Sequence, residues 1–119
     1  MIIRLPTPPS VNSLYATSWK TRRRFISKSY ADWRSKADAA TLAQGVETIR
    51  GEVVVDTVVE RPRDRRRRDL ENYIKALSDH LVRCGAIEDD SQIIDSRIRW
   101  GDVEGCEITV TAALPVWAA

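Results

Sequence analysis

Between residues 70 and 84, Leu70, Ile74, Leu77, Leu81 and Cys84 recur at spacings of four, three, four and three, the period of one face of an α-helix. Gly85 follows, where a helix is commonly closed by a residue with positive φ. A stripe this regular has to lie on a second layer, and the rest of the chain must supply it. Val53, Val55, Thr57 and Val59 alternate with Val54, Asp56 and Val58 ahead of Pro62, which predicts a strand. Ile94, Ser96, Ile98 and Trp100, then Cys106, Ile108 and Val110, alternate in the same way around Gly101, Asp102 and Gly105, and predict a hairpin. Ile2 to Leu5 reads as a short opening strand, stopped by Pro6, Pro8 and Pro9. Tyr30, Trp33, Ala37 and Ala40 mark another helix, with Ser29 as its N-cap and Gly45 as its stop. Ser10 to Ser27 shows no period and reads as a long basic loop. The expected fold is α+β, two helices packed on a small mixed sheet in the order strand-helix-strand-helix-strand-strand, in one domain spanning residues 1–119.

With 43% hydrophobic and 30% charged residues in 119, the chain can bury one core and has neither the composition of a disordered tail nor that of a disulfide scaffold. Its apolar runs fall far short of the ~20 residues that span a bilayer, so no membrane partner is expected. The opening Met-Ile-Ile-Arg-Leu-Pro is unlike a secretory signal, and Cys84 and Cys106 form no framework or zinc spacing. These features point to a cytoplasmic, reduced protein.

Charge is more informative by location than in total. Lys20, Arg22, Arg23, Arg24 and Lys28 fall within nine residues without an acid. Arg61, Arg63, Arg65, Arg66, Arg67 and Arg68 are opposed by Asp64 alone. Each cluster carries a local +5 within a net charge of +2, leaving the remainder at −8. Two basic patches on an acidic background are the footprint of a surface that tracks a polyanion such as a nucleic-acid backbone. Trp19 and Phe25 stand among the first cluster, where aromatics can stack on exposed bases or simply pack.

The second cluster runs straight into acids: Arg65-Arg66-Arg67-Arg68-Asp69-Leu70-Glu71-Asn72, then Lys75, Asp79 and, past the helix, Glu88-Asp89-Asp90. Taken singly, Asp69 is an N-cap, Glu71 with Lys75 an i,i+4 surface pair, and Asp89-Asp90 a turn. Together they fit phosphodiester chemistry. Arginines grip phosphates, carboxylates hold a hard divalent cation, and an ammonium stabilises developing charge. Asp69 at the helix start can aim independently of Glu71, so the two could converge on one ion, with Lys75 one turn on; Asp90 has to be returned from the far end of the helix. His80, at the edge of the apolar stripe, reads as structural.

Asp64 to Asn72, Lys75, Asp79, Gly85, Asp89-Asp90-x-Gln92 and the earlier Pro8-Pro9-Ser10-x-Asn12 together resemble the RusA family of Holliday junction resolvases, in order over most of the chain. The resemblance implies a homodimeric, Mg²⁺-dependent endodeoxyribonuclease, with Mn²⁺ a possible substitute, that cuts four-way junction DNA by paired symmetric nicks. It places metal-binding acids on Asp69, Glu71 and Asp90, the catalytic lysine on Lys75, and flanking site positions on Asn72 and Asp89. Glu71 departs from the family pattern, which commonly has Asp there. The DNA-binding set is Lys20, Arg22, Arg23, Arg24, Lys28 and Arg65 to Arg68. The alternative is a non-catalytic nucleic-acid-binding module whose acids cap and solubilise a helix. A two-fold dimer is also expected from the need to place two nicks, with Val54 and Val58 on the second face of their strand as candidate interface.

Overall fold

The computed structural model describes residues 1–63 and 69–113. Arg65, Arg66, Arg67 and Arg68 lie outside the described residues. The strands are β1 (Ile2–Leu5), β2 (Tyr15–Thr17), β3 (Arg24–Ile26), β4 (Val53–Glu60), β5 (Ile93–Gly101) and β6 (Cys106–Ala112), and the helices are α1 (Lys28–Gln44) and α2 (Ile74–Arg83). Short 3₁₀ turns occupy Val11–Ser13, Leu70–Tyr73 and Asp90–Gln92. The main sheet has the order β1-β6-β4-β5, with β4 parallel to β5 and the other pairs antiparallel. The fold is thus α+β with helices on a mixed sheet. Among the described residues no helix is long and apolar enough to cross a membrane.

The expected β5–β6 hairpin does not form, because β4 lies between the two strands. α2 carries the chain from the end of β4 back along the sheet, so β5 starts beside the start of β4 and runs parallel to it. β6 then takes the other side of β4, from Val53 opposite Ala112 to Val59 opposite Cys106. Alternation reports which face a residue shows and is silent on which strand lies next to it. The short β5–β6 connection is pinned over the end of β4: Glu60 N–H donates to the Gly105 carbonyl (2.8 Å) and Gly105 N–H to Glu60 Oε2 (3.1 Å). Gly105 has φ 68°, and a Cβ there would run into the Leu5 carbonyl, so glycine is required at this corner.

One sheet face is the core. Ile3, Leu5, Val53, Val55, Val59, Cys106, Ile108 and Val110 are buried beneath the helices, together with Leu77 and Leu81 of α2. Truncating a side chain such as Ile108 to Ala would cost about 2–5 kcal/mol. Burial pushes the Cys106 thiol up to about 12, so it behaves as a small apolar side chain. On the other face Val54 and Val58 are half-buried, and their registered neighbours are Asp95, Thr111, Arg99 and Glu107. The expected apolar interface is therefore two valines in a polar field.

α1 begins two residues earlier than expected. Ser27, not Ser29, accepts from Tyr30 N–H (3.2 Å), and it also donates to the Ser13 carbonyl (2.6 Å). Its buried stripe is Tyr30, Trp33, Ala37 and Thr41. Thr41 takes the place expected of Ala40 by donating its hydroxyl to the Ala37 carbonyl (3.0 Å), which removes the penalty of burying it. Trp33 Nε1 donates to the Pro6 carbonyl (2.8 Å) and its ring meets buried His80 of α2 edge-on at 5.6 Å. The expected loop at Ser10 to Ser27 contains the β2–β3 hairpin. Strands of three residues, with β3 exposed along its whole length, leave no alternation to detect.

Candidate active site

Asp69 stands in extended conformation (φ −90°, ψ 126°) at the entrance to the Leu70–Tyr73 turn, and its carboxylate makes no capping bond. The commonest structural use of an acid at this position is thus unfilled. Lys75, in the first turn of α2, reaches forward and not back to Glu71: its Nζ lies 3.2 and 3.1 Å from the two carboxylate oxygens of Asp79. Hydrogen bonding to Asp79, reinforced by its charge, raises the Lys75 pKa. The side chain therefore remains an ammonium, fitted to meet an anion and unsuited to act as a base.

At the other end of α2, the chain turns at Gly85 and reaches Asp89-Asp90. Asp89 Oδ1 accepts from Ser91 N–H (3.3 Å), and Gln92 closes a capping box from the opposite side. Gln92 Oε1 accepts from Glu88 N–H (2.6 Å) and Asp89 N–H (3.0 Å), while Nε2 donates to the carbonyls of Ile49 (3.0 Å) and Gly51 (2.7 Å). One amide thus ties the acidic turn to the segment entering β4. The Ser91 N–H bond, with Asp90 hydrogen-bonded alongside, holds the Asp89 carboxyl below the usual carboxylate value. Asp89 and Asp90 line a cleft of about 380 Å³ with Asp79, Arg83, Val82, Arg34, Tyr30, Tyr15 and Ile26. Burial, then the charge of Asp79, raises the Tyr30 pKa, so its phenol stays protonated as a donor.

The expected metal-binding acids fall into two groups. Tyr73, which closes the turn holding Glu71, packs edge-on against Trp100 at 6.0 Å, near the end of β5. Asp90 lies just before the start of that strand at Ile93. Those ends are separated by seven residues, about 23 Å of extended chain. Among the described residues no three acidic, histidine or cysteine side chains converge as a metal site. The donor chemistry of Asp69, Glu71 and Asp90 fits a hard cation such as Mg²⁺, but a single chain does not gather the three around a point among the described residues.

The expected basic residues frame these acids. Lys20, Arg22 and Arg23 form the tip of the β2–β3 hairpin, Arg24 leads into β3, and Lys28 opens α1. Arg24 covers the Tyr15 ring with its guanidinium 4.0 Å from the centroid. Arg61 and Arg63 line a second groove, about 700 Å³, with Pro8, Pro9, Ser10, Ser13, Ser29, Glu60 and Tyr73. Asn72 lies in the turn with Glu71, its N–H donating to the Asp69 carbonyl (3.1 Å). From the sequence, Asp79 is named without a role, and Tyr15, Tyr30 and Arg34 are left out as cleft residues. Asp79 had a usable signal, since it lies four residues after Lys75 on a helix. The tyrosines had none, because the loop-like pattern hid the hairpin that carries one of them.

An acidic cleft walled by a cationic hairpin, on a helix whose other end follows an arginine run, defines a domain built to handle a phosphodiester backbone. A sequence model of the family described as Endodeoxyribonuclease RusA matches residues 6–111. The chain belongs to this nuclease family. It is also similar to the crossover junction endodeoxyribonuclease RusA of Enterobacteria phage HK97, with 32% identity over 97 residues, 79% of this chain and 77% of the relative.

Proposed function

We propose that this protein resolves four-way DNA junctions by paired symmetric nicks, as a homodimer that depends on Mg²⁺, with Mn²⁺ as a possible substitute. The observation that carries the reading is the family match across residues 6–111, which contains the Asp69, Glu71, Lys75 and Asp90 set and both basic clusters. Asp69, Glu71 and Asp90 would hold the ion, which when bound polarises the scissile phosphate and activates water. Lys75 contributes a standing positive charge: released from Asp79, it meets the phosphate and stabilises the charge that develops there. Arg65 to Arg68 and the hairpin cations bind flanking phosphates and set the register of the backbone. Asn72 and Asp89 flank the acids and support their placement.

Two nicks on opposing strands of a two-fold junction call for two sites related by the same axis, hence a C2 dimer. The separation of the acids in one protomer adds a further demand. Holding the ion requires a protomer to meet its two-fold partner or its DNA. The test is a labelled four-way junction incubated with and without Mg²⁺, with nick positions mapped and sedimentation run in parallel. Symmetric nicks only with metal, from a dimer, are expected. Tight junction binding without any metal-dependent cut would instead establish a non-catalytic binding module.

A further inference from the structure

Trp19 has 98% of its surface in solvent, more than any other large apolar side chain among the described residues. It sits at the tip of the β2–β3 hairpin, and that tip is a built turn. Ser18 N–H donates to the Arg23 carbonyl (3.0 Å), Arg22 N–H returns to the Ser18 carbonyl (2.8 Å), and Arg22 adopts the left-handed φ of 54° that closes the loop. The hairpin base is anchored on the body, since Ser27 N–H donates to the Leu14 carbonyl (2.9 Å) and Tyr15 meets Tyr30 edge-on at 6.1 Å. An indole is thus presented on a built turn that also carries Lys20, Arg22 and Arg23, with no acid from Ser18 to Arg23. A single exposed leucine would need no explanation. An exposed indole on a turn rich in cations has the two elements that bind unpaired nucleotides, a stacking surface and a phosphate-attracting field.

We propose that Trp19 is a wedge that stacks on an unstacked nucleobase at the branch point of the junction, and so contributes to selection of junction over duplex. The inference rests on the junction-resolving reading above. In a continuous duplex every base face is covered by its neighbour, so an indole at the end of a ribbon finds no free π surface. At a branch point stacking is interrupted, and a base face becomes available. The hairpin also links this stacking to the cleft, because Tyr15 and Ile26 at its base line the same cleft as Asp79, Asp89 and Asp90. From Tyr15 to Trp19 is four residues, at most about 13 Å of chain, comparable to about four base-pair steps of 3.4 Å. A base held at the tip would therefore fix where the scissile phosphate falls relative to the crossover.

The test uses the full chain with Ca²⁺ in place of Mg²⁺, a four-way junction carrying 2-aminopurine either at the branch point or mid-arm, and a duplex of arm sequence. Wild-type protein is expected to change 2-aminopurine emission at the branch point and not mid-arm. Trp19→Ala is expected to abolish that change and to weaken junction binding about tenfold, the size of one base–aromatic stack, with duplex affinity held. Trp19→Phe should restore most of both. The side chain makes no intramolecular packing that truncation would remove, and circular dichroism confirms the fold of each variant. Unchanged emission and affinity in Trp19→Ala would overturn the proposal. So would an equal loss on junction and duplex, which marks a general backbone interaction, or a changed oligomeric state without DNA, which marks a protein interface. A wild-type protein with no preference for the junction would defeat the junction reading itself, and is seen before any variant is made.

Discussion

The two ends of α2 carry similar acids on opposite kinds of support. Beyond its C-terminal end, Asp89 and Asp90 sit on a turn whose polar groups are matched, with Gln92 bonded to four backbone groups on two segments. At its N-terminal end, Asp69 stands in extended backbone with no capping bond, directly after the arginine run. One half of the acid set is fixed by the fold before any ligand arrives. The other half has no such bond at Asp69.

If both ends belong to one site, Asp69→Asn and Asp90→Asn should each cut single-turnover cleavage of a junction to about a hundredth or less. Binding should be kept or strengthened, because a negative charge beside phosphate is removed. An effect from one substitution alone would locate the chemistry at one end of α2. Glu71→Gln should fall with them and Glu71→Asp should keep cutting, since it retains the charge on a shorter arm; normal cleavage by Glu71→Gln would make Glu71 a surface residue. Neutralising Arg65 to Arg68 should weaken binding and flatten its salt dependence by ~0.9 log units of slope for each phosphate no longer neutralised. An unchanged slope would turn this run away from DNA. Gln92→Ala sharpens the contrast from the rigid side. Freeing four backbone groups at a partly exposed site should cost roughly 1–2 kcal/mol in urea unfolding, and cleavage should fall with it as Asp90 loses its support.

The regular parts of this fold were legible because they follow a period. The stripe from Leu70 to Leu81 and the valines of β4 each state which face turns inward, and the structure buries Leu77, Leu81, Val53, Val55 and Val59 and half-buries Leu70 and Ile74. Partnership is a different kind of information. β5 and β6 alternate as a hairpin would, yet β4 separates them because α2 fixes the direction in which β5 starts. The site divides along the same line. Acids, lysine and arginines are recognisable from charge and order along the chain. The forward reach of Lys75 to Asp79, the tyrosines of the cleft and the separation of Asp69 from Asp90 arise only when helices and hairpin are placed in space. Gln92 shows the difference in one residue. Its place in the motif is visible in the sequence, but its work, two bonds accepted and two donated, is tertiary.

The smallest effect expected lies in the middle of α2, the rod that sets the distance between the two ends. His80 is 1% exposed, neither ring nitrogen has a hydrogen-bond partner, and Nδ1 lies 3.7 Å from Asp38 Oδ1. Burial lowers its pKa below the ordinary 6.5, opposed by the charge of Asp38 and assisted by that of Arg34. Well above pH 6.5 neither the folded nor the unfolded chain holds a proton there, and stability is at its full value. As pH falls through 6.5 the unfolded chain binds a proton that the folded chain refuses, so the free energy of unfolding declines until the lower folded pKa is passed. Urea midpoints measured from pH 7.5 down to 5 should fall over this window, and His80→Leu should remove that part of the slope while the carboxylate contribution at lower pH persists. A flat midpoint between pH 7 and 5 would show that the His80 ring is protonated in place, paired with Asp38.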